Sequence, residues 1–297
     1  MSGRFLVVGD LMTDVIASVT DPLALGSDTS ARVATRQGGA GANVAAWLAA
    51  MGEAVTFVGV AGDDPFGREA EAALLAAGVD ARVRLTDDAA TGTCVVLVGH
   101  DGDRTMLPDA GANSMLRPED LPADIVRSAF HVHVSGYSLL NPGSRDAAEQ
   151  ALRLAREAGV PTSVDPASAA PLEAVGGPEF LAMTEGVDLV LVTLDEAEVL
   201  CGSRVPGVVG ARLTATYDEV VLKLGPDGAL WCSRAVPSGV TGPAADPDGP
   251  VVDTTGAGDA FAAAWLAARG NDERPEQALR TATRAAASVV TRLGARP

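Results

Sequence analysis

The stretch DTTGAGD (253–259) runs straight into the alanine-rich segment AFAAAWLAA (260–268). The glycines of Gly256-Ala257-Gly258 let the chain turn tightly and bring bare backbone N–H groups close to an anion. A helix starting here would aim its first N–H groups at that anion, with Thr254 or Thr255 as its cap. Asp259 falls in the first turn. A transferring phosphoryl group spreads charge over its equatorial oxygens and needs such donors, and a carboxylate beside them can take the proton of an attacking hydroxyl. The same residues also fit a purely structural reading, in which Asp259 is a carboxylate favoured by the helix dipole.

Four other glycine clusters sit where ligands bind in open α/β sheets, at strand ends and helix starts: GGAGAN (38–43), GVAGDDPFG (59–67), GAN (111–113) and KLGPDG (223–228). Two common phosphate motifs are missing. Lys223 is the only lysine and no G-K-[ST] occurs, so there is no P-loop; GGAGANV lacks the third glycine of G-x-G-x-x-G. A bound nucleotide therefore needs another helix N-terminus for its phosphates.

The elements that must position these loops read as strand alternating with helix. FLVVGD (5–10), VTFVGVAGD (55–63), FHVHVSG (130–136), VPTSVDP (160–166), VDLVLVT (187–193) and EVVLKLG (219–225) are short apolar runs ended by turn residues. Helices are expected over 43–51, over 66–77 with Gly78 as the stop, over about 144–158, and around Glu196. Continuously apolar strands in this rhythm predict a mostly parallel sheet covered on both faces, an α/β fold. DVIASVTDPL (14–23) and TCVVLVGHDGDRTML (93–107) break the rhythm, with a hairpin turn expected at HDGD (100–103). A small antiparallel flap inserted into one α/β domain explains them. PSGVTGPAADPDGP (237–250) reads as a surface loop, so the whole chain, 1–297, is taken as one domain.

Composition narrows the function. The 297 residues carry a formal charge of −17, from 39 acidic against 22 basic residues, which argues against general nucleic-acid binding. No apolar run approaches the roughly 18 residues of a membrane span, and the N-terminus has too short an apolar stretch for a signal peptide; a cytoplasmic location is expected. Cys94, Cys201 and Cys232 are scattered and suggest neither disulfides nor zinc. His131 and His133 alternate on a strand and read as partly buried histidines on one face.

Taken together and in order, these segments resemble the PfkB/ribokinase family of carbohydrate kinases. DTTGAGDAF is similar to the family's C-terminal signature and GGAGANVA to its N-terminal glycine motif. TGTCVVLVGHDGDRTMLPDAGAN resembles the lid-and-return segment, and VTRLGA (290–295) the end of the C-terminal helix. The resemblance implies a ribokinase-like three-layer fold whose β-sheet lid comes from about 14–35 and 91–112. It also implies ATP-dependent phosphorylation of a hydroxyl on a sugar or sugar-containing molecule, with ATP and Mg²⁺ as cofactors and a homodimer formed through the lid. Asp259 would be the catalytic base, and Gly256, Ala257 and Gly258 the anion hole. Asp14, Gly39 and Asn43 match positions that hold sugar hydroxyls, although Asn43 by itself also suits a helix N-cap. Lys223, Gly225 and Gly228 match the element beside the nucleotide. Glu196 matches a glutamate that organises Mg²⁺ through water, and Asp253 and Thr255 match positions that bind a monovalent cation, K⁺, in many relatives.

Two departures from the family pattern bear on function. Thr193 stands where the family has asparagine before the glutamate. Met12 stands where ribose-specific relatives present asparagine, and a thioether cannot replace an amide's hydrogen bonds. Ribose is thereby disfavoured as acceptor, and a nucleoside, a deoxy sugar or a ketose is favoured. Tyr137 either lines that pocket or packs in the core. A nucleoside kinase of the same fold is the alternative within the enzyme class, and a non-catalytic sugar- or nucleotide-binding regulator the alternative outside it.

Overall fold

The computed structural model describes residues 3–99 and 104–297; the turn expected at HDGD (100–103) lies outside the described residues. Among the described residues thirteen strands follow one another: β1 Phe5–Val8, β2 Met12–Val19, β3 Ala31–Gly38, β4 Val55–Gly62, β5 Asp80–Thr86, β6 Gly92–Val98, β7 Arg104–Asp109, β8 His131–Ser135, β9 Thr162–Asp165, β10 Leu189–Thr193, β11 Glu219–Lys223, β12 Ala229–Ser233 and β13 Val240–Gly242. They form two sheets. The larger has the order β13-β12-β11-β10-β9-β8-β1-β4-β5 and is parallel from β11 to β5, with β12 and β13 added antiparallel. The smaller has the order β3-β2-β6-β7.

Side-chain alternation shows why the central strands are apolar throughout. Leu6 and Val8 of β1 and Val58 and Val60 of β4 belong to one core, with Leu152, Leu172, Phe180 and Leu200 from the helices Arg145–Glu157, Ala169–Val175, Gly177–Met183 and Leu194–Cys201. Phe5 and Val7, Val55 and Phe57 belong to the other, with Trp47, Leu74, Trp265 and Leu279 from the helices Ala40–Ala50, Pro65–Ala76, Ala257–Gly270 and Pro275–Val289. Both faces of the parallel sheet are thus covered, as its continuous hydrophobicity requires. No helix among the described residues is long and apolar enough to cross a membrane.

The smaller sheet is thinner. Its own core is Ile16, Cys94 and Val96. Cross-strand partners share a face, so Asp14, Arg36, Cys94 and Pro108 lie on one side and Val15, Thr35, Val95 and Leu107 on the other.

Two local expectations change. The first helix begins at Ala40, not Asn43, because the Asp10 carboxylate takes the N–H groups of Ala40 and Gly41 at 2.8 and 3.2 Å. Asn43 therefore lies inside the helix and does not cap it. Within 237–250, Val240–Gly242 is a strand, paired antiparallel to β12; three residues are too few to show a period. His131 and His133 do share a face, and both bond the Ser163 hydroxyl, each at 2.8 Å.

Candidate active site

The helix Ala257–Gly270 opens on Gly256, whose φ of +81° is a left-handed conformation suited to glycine; a Cβ there would also collide with Ala295. No side chain caps this end, so the expected threonine cap is replaced. The loop is fastened by Asp253, nearly buried at 3% exposure, which accepts the Thr255 N–H at 2.8 Å and the Gly294 N–H at 3.1 Å. With no side-chain cap, the first-turn N–H groups at Gly256, Ala257 and Gly258 lack a side-chain acceptor among the described residues, though Ala257 N–H reaches the Thr254 carbonyl at 3.3 Å.

Asp259 follows directly and is only partly exposed. Asn43 Nδ2 donates to its Oδ2 at 2.9 Å. Burial raises the Asp259 pKa to about 7; the Asn43 hydrogen bond opposes the rise, Asp165 and Asp10 add to it, and Lys223 works against it. Asn43 is held in turn: Arg296 Nε donates to its Oδ1 at 3.2 Å, and Arg296 Nη2 donates to the Gly38 carbonyl at 2.9 Å.

Asp14, on the inward face of β2, completes this side. Its carboxylate packs where a Cβ on Gly38 would sit, and burial pushes its pKa to about 6 against the pull of Arg296. Gly39, at φ +91°, lies against the Asp10 carbonyl and Leu11 Cα with no room for a side chain. Asp10 also accepts the Ser135 hydroxyl at 2.8 Å, so one buried carboxylate joins β8, the β1–β2 turn and the helix Ala40–Ala50.

A second cluster lies across the Gly256–Gly258 turn. Lys223, at the end of β11, is ion-paired with Asp165 at the end of β9. Burial alone would lower its pKa, but Asp165, Glu196 and Asp259 together raise it, so it stays charged. A Cβ on Gly258 would lie 3.6 Å from its Nζ, which places the ammonium beside the helix N-terminus. Glu196 is buried, and burial raises its pKa while Lys223 opposes the rise. Thr193 forms a reciprocal cap with it: Thr193 N–H donates to Glu196 Oε2 at 2.8 Å, and Glu196 N–H to Thr193 Oγ1 at 3.3 Å.

Gly225 and Gly228 lie in the turn that follows Lys223, between β11 and β12. Gly225 is exposed and open, whereas Gly228 presses against Gly242 and Ala244. Beyond Ala244 a cavity of about 530 Å³ opens, lined by Pro243, Ala244, Arg280, Thr283, Arg284 and Ala287 among others. Asp253 and Thr255 line a separate cleft with Asp14, Ile16 and Gly294. Tyr137 is 38% exposed and not core-packed; desolvation of its hydroxyl raises its pKa, Asp10, Asp259 and Glu196 add to the rise, and a Ser168 hydrogen bond opposes it. Met12 Sδ receives Asn113 Nδ2 at 3.2 Å, while the rest of that amide bonds the Leu11 backbone.

The structure brings together Asp259, Asn43, Asp14 and Gly39 on one side of the turn and Lys223 and Glu196 on the other. Sequence reasoning missed Asp10, Asp165 and Arg296. The acidic residues at the C-terminal ends of β1 and β9, in VVGD and SVDP, carried a signal, since carboxylates there face the cleft of a parallel sheet. Arg296 carried none.

Comparison with solved structures gives the fold first. An adenosine kinase from Sinorhizobium meliloti superposes with a TM-score of 0.91 at 25% identity, over 100% of this chain and 96% of that one. The fold is ribokinase-like, with a mostly parallel central sheet, helices on both faces and a smaller separate sheet. Among curated proteins the chain is similar to an ATP-dependent ribose-1-phosphate kinase of Halopiger xanaduensis, 33% identical over 263 residues (87% of this chain, 82% of that protein). It is also 31% identical over 275 residues to a probable fructokinase-4 of Arabidopsis thaliana (88% and 83%). The model of the pfkB family carbohydrate kinases matches residues 3–297, and the chain belongs to that family.

Proposed function

We propose that this PfkB-family kinase transfers the γ-phosphoryl group of ATP to a hydroxyl of a sugar or sugar-containing acceptor, with Asp259 as the base. The observation that carries the reading is the position of Asp259: a carboxylate with a pKa near 7, hydrogen-bonded by Asn43, on the first turn of a helix whose N–H groups have no side-chain cap. A base poised near the working pH is partly ionised and still basic. Gly256, Ala257 and Gly258 stabilise the transferring group, and Asp14, Gly39 and Asn43 hold the acceptor.

Lys223, Gly225 and Gly228 line the nucleotide's path, which ends in the cavity beyond Ala244. The buried Glu196 carboxylate suits a hydrated Mg²⁺, which when bound neutralises the phosphate charge. Asp253 and Thr255, with carbonyls near Gly294, supply the oxygen chemistry of a K⁺ site. The smaller sheet serves as a lid that keeps water from competing as acceptor. Its outer face carries Val15, Val33, Val95, Leu97 and Leu107, with Val33 65% and Leu107 54% exposed, which supports self-association into a homodimer. Dependence on ATP fits a cytoplasmic setting.

Met12 and the exposed Tyr137 support a second acceptor class, nucleosides, because a thioether and a phenol ring suit an apolar or aromatic group better than a ribose hydroxyl. A mass-shift screen with ATP, Mg²⁺ and a panel of sugars and nucleosides separates the two classes. Tight ligand binding with no ATP consumed across the panel overturns the kinase reading and leaves a binding regulator.

A further inference from the structure

Arg296 is used by none of the roles above, yet among the described residues it is the only arginine bonded to a residue that touches the base. Its Nε and Nη2 are committed to Asn43 Oδ1 and the Gly38 carbonyl. Its Nη1 is buried and has no hydrogen-bond partner among the described residues. No ion pair between Arg296 and a carboxylate occurs among the described residues, although Asp14, Asp10 and Asp259 all act on it electrostatically. A guanidinium kept beside three acids, paired with none of them and short of one partner, calls for a reason.

The geometry of Asn43 supplies one. A side-chain amide has a donor end and an acceptor end. Turned over, Asn43 would set its oxygen against the Asp259 carboxylate and its NH₂ against the Arg296 Nε–H, so both contacts would be repulsive. Only the observed orientation satisfies both neighbours. With Asp259 alone the choice is weaker: a protonated carboxyl can donate to the amide oxygen, and the flipped amide is then equally well satisfied.

We propose that Arg296 is a positioning residue of the active site: it locks the Asn43 amide with its NH₂ toward Asp259, and its remaining Nη1–H is a donor for an oxygen of the bound acceptor. The lock keeps Asn43 a donor to Asp259 through every protonation state and so favours the ionised base. The other groups acting on Asp259 are Asp10 and Asp165, which raise its proton affinity, and Lys223, which lowers it; Tyr137 and Arg296 in turn feel its charge. The inference rests on the kinase reading for its kinetic consequences and on geometry alone for the amide lock.

The test compares wild type with Arg296→Gln, Arg296→Lys, Asn43→Ala and the Arg296→Gln/Asn43→Ala pair. The probes are D-fructose, D-ribose, ribose 1-phosphate and adenosine with ATP and Mg²⁺. Arg296→Gln should lower kcat by about ten-fold, the scale of losing a charged hydrogen bond. It should also raise KM for the acceptor without changing KM for ATP, and move the acid limb of kcat to higher pH. Arg296→Lys, which keeps the charge, should recover part of the loss; the double variant's kcat should be no lower than that of Asn43→Ala, while its acceptor KM should be higher because the Nη1–H donor is also gone. Unchanged kinetics in Arg296→Gln, or kcat effects that add fully with Asn43→Ala, overturn the proposal.

In asparagine-¹⁵N-labelled protein, slow exchange of the Asn43 side-chain NH₂ should be lost in Arg296→Gln, and its retention refutes the lock. That measurement needs no substrate. If wild type phosphorylates none of the four probes, the kinase reading fails on this panel, while the amide signal still decides the lock.

Discussion

Two charged clusters flank the Gly256–Gly258 turn, and they are neutralised in opposite ways. On the Lys223 side the cation touches a carboxylate directly, and Glu196 is capped by the Thr193 backbone. On the Asp259 side the acid is met by a neutral amide, and the nearest guanidinium pairs with no carboxylate among the described residues. The first arrangement holds a permanent positive charge beside a helix N-terminus, which suits a phosphate that must be held but not altered. The second leaves two acids, Asp14 and Asp259, with pKa values raised to about 6 and about 7. A group that must take up a proton and release it again needs such poise. On the proposed reading, similar residue types would serve as clamp on one side and as proton acceptor on the other.

The difference can be broken most sharply at the base. Asp259→Asn should cut kcat by about 10²–10⁴-fold, the usual worth of a general base, with the fold intact by circular dichroism. Near-wild-type turnover on a confirmed acceptor would remove Asp259 from the role.

Next in size is the clamp. Asp165→Asn leaves Lys223 buried without its ion-pair partner and should destabilise the protein by about 3 kcal/mol, read from urea unfolding; an unchanged midpoint would mean that the pair contributes nothing to the fold.

A smaller effect appears in pH profiles. Because the Asp259 pKa is raised, the base form gains population only as pH climbs through about 7, so kcat should rise across that range and then level off. In Asp165→Asn a negative charge that raises this pKa is gone, and the limb should move to lower pH. Movement the other way would contradict the assigned electrostatics.

Smallest is Thr193→Asn. Asparagine caps helices as well as threonine does, so stability and Mg²⁺ dependence should stay within a few tenths of a kcal/mol of wild type.

Much of this was legible in the residues. Continuous apolar strands such as FLVV announced a sheet buried on both faces, and DTTGAGD announced a glycine turn with an acid in the following helix. What stayed hidden were partners distant along the chain. The helix at Ala40 starts early because of Asp10, thirty residues upstream. The turn before Asp259 is tied to Gly294 through the Asp253 carboxylate, and not by a threonine side-chain cap. Arg296 meets Asn43 across 253 positions. None of these contacts leaves a period or a spacing to read.

By itself, then, the sequence determined the family, the parallel core and which acid stands at the helix start, because hydrophobic period and glycine content act locally. Only the tertiary structure decided which acids keep their protons and which cations are already paired. Proton affinity depends on burial and on every charge within a few ångströms, and those neighbours come from strand ends and loops far apart in the chain.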